Sequence, residues 1–166
     1  MNATLMPACA GFGVAVGNIC VNVYAFSPDE QLISCCSCLV TPNGLASLSL
    51  IKDVVNNTLT GIRPDAVVVK LVNTGAGPAF SGTACTNSAA MAGGPAFPIA
   101  SGLAAYGTTV HQNTTGLAVT ETPYLRSVLS PAELLSITGR CTQIIGNGST
   151  YGICASCRPG GLVATR

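Results

Sequence analysis

The apolar residues of this chain fall into short runs of period two, broken by Pro, Gly, Asn and Asp, until one stretch near the C-terminus switches to helical spacing. Residues 19–26 (ICVNVYAF) are dense in β-branched and aromatic side chains, and SPDEQ at 27–31 supplies the Pro, Asp and Ser of a turn. Residues 32–40 return as a second strand. TPNG at 41–44 closes it, because Pro42 presets φ and Asn43-Gly44 tolerates positive φ, and residues 45–51 are predicted to complete a meander. Alternation along the second strand sets Cys36 and Cys38 with Leu32 and Val40 on one side, and Cys35 with Ile33 and Leu39 on the other. Both sides are apolar, the pattern of a strand covered on both faces. A turn centred on residues 28–30 places Cys20 opposite Cys38, within reach of a cross-strand disulfide.

The flanking sequence extends this core. Phe12, Val14 and Val16 alternate with Gly13, Ala15 and Gly17, which predicts a strand with one apolar and one nearly bare face. That strand belongs either to the chain's own sheet or, exchanged, to a neighbour's, and Cys9 lies in its approach. Residues 66–72 (AVVVKLV) are the strongest β run, either a central strand or an edge strand with Lys70 snorkelling. Residues 74–102, rich in Gly, Ala, Pro and Ser, read as a long irregular excursion held by Cys85, with at most one helical turn near residues 88–91. Residues 103–110 and 117–122 are predicted to pair around HQNTTG. Ser130-Pro131-Ala132-Glu133 then starts a helix: a Ser cap, Pro at the first position and Glu three residues after the cap, as in a capping box. Leu134, Ile137, Cys141, Ile144 and Ile145 share one face, and Gly146-Asn147-Gly148 ends the helix. Residues 151–155 read as a last short strand.

The expected fold is therefore mainly β: an antiparallel, β-sandwich-like domain with one packed C-terminal helix over about residues 131–145. Residues 1–17 form an N-terminal strand segment and residues 18–166 a single β-rich domain, a reasonable size for one core at 166 residues.

Composition narrows the function classes. Only 8% of residues are charged, the net charge is +1, 48% are hydrophobic and mean hydropathy is +0.52. The basic residues are scattered without aromatic platforms, so nucleic acid is not an expected partner. No apolar run approaches the roughly 20 residues of a membrane span, so none is expected either. Nine cysteines (Cys9, Cys20, Cys35, Cys36, Cys38, Cys85, Cys141, Cys154 and Cys157) point to paired oxidation in an exported protein whose signal has been removed; because the number is odd, at least one is free or bonds another chain. The expected pairs include bonds from Cys20, Cys36 and Cys38 within the meander and one from Cys141 to the neighbourhood of Cys154 or Cys157. Asn-x-Ser/Thr sequons begin at Asn2, Asn56, Asn113 and Asn147.

Catalysis finds little support. The C-C-x-C and C-x-x-C spacings could in principle supply a tetrahedral metal site, but strand alternation splits Cys35 to Cys38 between two faces, and disulfides are the preferred reading. No metal and no cofactor is expected. His111, the single histidine, lies in a predicted turn. The six acids have local explanations: turns for Asp29, Glu30 and Asp65, the helix cap for Glu133, and solvated positions for Asp53 and Glu121.

The block CVNVYAF…DEQLISCCSCLVTPNGLASLSL, with the AVVVKLV strand, resembles a group of secreted bacterial proteins sharing a C-C-x-C-x-x-T-P-N-G motif; the likeness covers about residues 18–73 and implies no activity. The size and the Ala, Gly, Thr, Val, Asn and Ser bias are similar to fimbrial subunits that polymerise by donor-strand exchange, although nine cysteines exceed the single disulfide usual in those. The expected role is a non-enzymatic, extracellular structural subunit that partners itself in a homopolymer, with Phe12, Val14 and Val16 at the subunit interface. The competing expectation is a monomeric secreted binding module for a glycan or cell-surface ligand, using the 74–102 loop.

Overall fold

A computed structural model of the chain describes residues 2–3, 17–75, 85–91, 98–155 and 158–159. In chain order its elements are β1 (Asn2–Ala3), β2 (Ile19–Phe26), β3 (Leu32–Val40), β4 (Ala46–Ser47), a π-helical turn (Leu50–Val54), β5 (Val68–Gly75), α1 (Ser88–Met91), β6 (Leu103–Ala104), β7 (Tyr106–Asn113), β8 (Gly116–Pro123), α2 (Pro131–Gly146) and β9 (Arg158–Pro159). The fold is mainly β with antiparallel pairing, a C-terminal helix and disulfides.

The densest β-branched run lies at the centre. Strand β2 pairs antiparallel with β3 on one side and β5 on the other, giving the order β3-β2-β5. Every residue of β2 from Ile19 to Ala25 is buried. One face packs Ile19, Val21, Val23, Cys36, Cys38 and Val40 against Ala46, Leu48, Leu103 and Cys154. The other packs Tyr24, Leu32, Cys35 and Val72 against Ile137, Cys141 and Ile144 of α2 and Ala90 of α1. Both faces are covered, as the apolar alternation required. The cover is loop and short strand on one face (Ala46 of β4, Leu103 of β6) and helix on the other, and the remaining pairs among the described residues, β1-β6, β4-β9 and β7-β8, are two-stranded.

The β2-β3 hairpin departs from the predicted register at one point. Phe26 pairs with Leu32, but Ala25 pairs with Ser34, leaving Ile33 as a bulge. A one-residue slip exchanges the faces of a strand. Beyond the bulge Cys20 therefore stands opposite Leu39 and not Cys38, and Leu32 shares the helix face with Cys35 rather than siding with Cys36. The bulge is buttressed from outside the sheet: Ile33 C=O accepts from Leu59 N–H at 2.8 Å and Gly152 C=O accepts from Cys35 N–H at 2.8 Å. Gly152 has φ +80°, and a Cβ there would lie 2.6 Å from Ile144 Cγ2, so the buttress needs glycine.

The predicted third strand of the meander is corrected too. Only Ala46–Ser47 pairs, with β9, and the chain then coils into the π-helical turn. Ser49 starts that turn from both directions: its Oγ accepts from Lys52 N–H at 3.2 Å, and its own N–H donates to Asp53 Oδ2 at 2.7 Å. Asp53, expected in solvent, is 2% exposed because it closes this turn. The third strand of the sheet is instead β5, at an edge, where Lys70 reaches the Glu133 carboxylate and lies 5.6 Å from the Phe26 ring centroid.

Helix α2 forms where its caps predicted. Ser130 Oγ accepts from Glu133 N–H at 3.1 Å, with Pro131 in the first turn. The Glu133 carboxylate pairs with Lys70, which replaces the return half of the expected capping box with a tie to the sheet. Ile137, Cys141 and Ile144 are buried and Leu134 and Ile145 partly so, all on the expected face. The predicted strand at 151–155 reduces to one parallel bridge between Ile153 and Cys35.

Candidate functional site

Cystines fix the layers. Cys35 and Cys36, adjacent in β3, point to opposite faces; Cys35 bonds Cys141 of α2 and Cys36 bonds Cys154 on the other face. One dipeptide thus staples both coverings to the sheet. Cys20 bonds Cys85, which anchors the segment leading into α1. These pairs replace the expected Cys20–Cys38 bond and the expected bond between Cys141 and the Cys154 region. The alternation argument was right about facing, but the bulge moved Cys20 by one place, and Cys141 faces the sheet rather than the chain end. Cys38 is also disulfide-bonded. Cys9, Cys157 and the proposed interface residues Phe12, Val14 and Val16 lie outside the described residues. Disulfide bonding of Cys35, Cys36, Cys38 and Cys154 removes the thiolates that the alternative metal reading needed. Among the described residues, no three His, Cys, Asp or Glu side chains cluster as metal ligands.

The polar chemistry is dispersed. His111 and Glu121 sit on strands β7 and β8, opposite Ala118 and Thr108 respectively and exposed. Among the described residues the largest buried polar side chain is Tyr24, whose hydroxyl donates to Ala90 C=O at 2.8 Å and whose phenol is held well above its usual range by burial. Asn22 Nδ2 donates to Thr74 Oγ1 at 3.3 Å, between the paired strands β2 and β5. Tyr24 ties the sheet to α1 and Asn22 ties two strands of the sheet, and neither lines a groove. The part of the 74–102 loop that is described is anchored: Ala89 and Ala90 are buried and Pro98 and Ala100 pair with β5.

What stands out instead is a projecting arm. Strands β7 and β8 pair with each other in full register and with no third strand among the described residues. The predicted six-residue turn shortens to Thr114-Thr115, where Asn113 Oδ1 accepts from Thr115 N–H at 3.0 Å and Gly116 takes φ +146°. Every residue from 108 to 128 is exposed. Directly paired residues share a face, so one face carries Tyr106, Val110, Leu117, Val119 and Pro123 together with Thr108, Gln112 and Glu121, and the other Gly107, Thr109, His111, Asn113, Gly116, Ala118, Thr120 and Thr122. Tyr106, Val110, Leu117 and Val119 are 51, 60, 73 and 59% exposed. The large apolar side chains of that face have no core against them. At the base of the arm Tyr124 N–H donates to Ala105 C=O at 3.0 Å, and burial raises the Tyr124 phenol above its usual range.

A groove of about 370 Å³ opens beside this base, lined by Val69, Leu71, Leu103, Leu125, Arg126 and Leu129 among others. Its floor is the outer edge of β5. At the far end of that edge the chain is capped: Asn73 C=O accepts from Ala100 N–H and Gly75 N–H donates to Pro98 C=O, each at 2.9 Å, and the Asn73 amide also reaches Ala100 C=O. Alternate residues of a strand point their backbone groups the same way. Val69 and Leu71 therefore direct their N–H and C=O groups outward into the groove, where no described residue pairs with them.

No family model, curated protein or solved structure matches this chain. The pairing of β7 with β8 around HQNTTG was readable in the sequence. Its exposure was not, since a pairing pattern does not say what covers the strands. No helix among the described residues is long and apolar enough to cross a membrane.

Proposed function

We propose that this protein is a secreted, non-enzymatic structural subunit that assembles with copies of itself. The observation that carries this reading is the β7–β8 arm, whose apolar face is exposed along its length. A two-stranded ribbon alone in water is marginally stable, and apolar patches of this kind mark contact surfaces on soluble proteins. The weak charge of the chain supports it, because a net +1 over 166 residues opposes association little. Disulfides that hold both faces of the sheet are consistent with an oxidising compartment and with export. Exchange of the segment bearing Phe12, Val14 and Val16, predicted from the sequence as a strand, remains part of this proposal as one route of assembly.

The test is sedimentation velocity and negative-stain microscopy of the oxidised protein over a wide concentration range. Concentration-dependent growth into extended particles is the expected result. A sharp monomer at every concentration, in several buffers, would overturn the reading and favour the monomeric binding module.

A further inference from the structure

We infer that the β7–β8 arm of one copy docks along the outer edge of β5 in the next copy, joining subunits head to tail. The inference rests on the self-assembly reading above and names the two surfaces that meet. Three complementarities carry it. The first is hydrogen bonding: Val69 and Leu71 offer outward backbone donors and acceptors, and each arm strand has one edge paired within the hairpin and the other open. A strand added to a sheet edge satisfies both. The second is apolar matching, since the arm exposes Val110, Leu117 and Val119 while the groove walls offer Leu103, Leu125 and Leu129. The third is charge. Glu121 lies on the apolar face of the arm and Arg126 lines the groove, and neither has an ion-pair partner among the described residues, whereas the groove's other cation, Lys70, is held by Glu133.

The occupant is a second copy because the arm's own residues leave the groove wall at Ala105 and Tyr124 and are exposed from 108 onward. Arm and groove are different surfaces, so the contact is heterologous. A copy that has placed its arm still presents its groove, and the series extends unless rotation closes it.

The experiment uses the full oxidised chain, with assembly followed by light scattering and microscopy. Glu121→Arg gives a basic arm facing a basic groove, and Arg126→Glu an acidic arm facing an acidic groove. Each alone is expected to raise the critical concentration about tenfold or more, as like charges meet. An equal mixture of the two variants is expected to assemble as an alternating copolymer, and the double variant alone to recover near wild-type behaviour. Recovery also proves that both variants fold, so loss through misfolding is separated from loss of contact. Wild-type assembly that survives both reversals, and also survives replacement of residues 109–120 by Asn-Gly, would overturn the arm-in-groove contact while leaving self-assembly standing. Loss in the single variants without rescue in the mixture would overturn it too, as would wild-type particles that stop at symmetric dimers. A wild-type chain that stays monomeric would overturn both readings.

Discussion

Single side chains decide how the two faces of the sheet are held. Tyr24 spans from β2 to α1: its ring fills the helix-face core, and its hydroxyl spends its proton on Ala90 C=O. Because burial raises the phenol's pKa, the folded protein holds this proton above pH 10 while the unfolded chain, titrating near the ordinary value of about 10, releases it. The stability from this residue is then complete below pH 10. Above that it is lost at about 1.4 kcal/mol per pH unit until the folded value is reached. Tyr24→Phe removes that slope but leaves Ala90 C=O buried without its donor, at a cost of about 1–3 kcal/mol near neutral pH. The expected outcome in rapid urea titrations between pH 8 and 11 is a variant that is weaker at pH 8 and flatter above pH 10. Equal pH slopes in the two proteins would assign alkaline loss to other groups.

At the scale of elements, β3 is where the fold is closed, since adjacent cysteines send one cystine to the helix and one to the opposite covering. The sequence separations are 106 and 118 residues, for which chain-entropy estimates give about 4–5 kcal/mol per isolated crosslink. The two loops overlap, so removing one while the other stays costs less. Replacing Cys36 and Cys154 together by Ser is expected to destabilise by about 2–4 kcal/mol, read as a lower urea midpoint, with Cys20–Cys85 and Cys35–Cys141 intact in a non-reducing peptide map. A map with shuffled pairs would show that Cys36–Cys154 guides pairing as well as bracing the fold. Helix α2 was legible because its signals are local: Ser130, Pro131 and the 3.6-residue spacing of Leu134, Ile137, Cys141 and Ile144. The central strands were legible by β-branched density. The Ile33 bulge was not, because its stabilising partners, Leu59 and Gly152, are remote in sequence, and with it went the pairing of Cys20. The π-helical turn was missed because Ser47 and Ser49 continue the alternation of a strand, while the buried Asp53 that closes the turn looked like a loop acid.

For the molecule as a whole, stability is unevenly distributed, and the unevenness should be measurable amide by amide. Strand β2 is buried along most of its length between two covered faces, so its amides exchange only when the whole domain opens. The arm has neither a third strand nor a covering layer among the described residues, so in a dilute monomer its cross-strand bonds open locally. Hydrogen exchange of dilute protein is therefore expected to give the 108–121 amides protection at least about 1,000-fold below that of β2, given ordinary domain stabilities. If the arm seats on β5 of a neighbour, assembly adds protection at two separated places and few others: along β7 or β8, and at the outward amides of Val69 and Leu71. Strand β2, already limited by global opening, should change only as much as assembly stabilises the fold. An arm as protected as β2 in the monomer would mean that it is packed within its own chain. Protection that rises on the arm but not at Val69 and Leu71 would place the neighbour elsewhere, so the pair of sites read together reports on the contact.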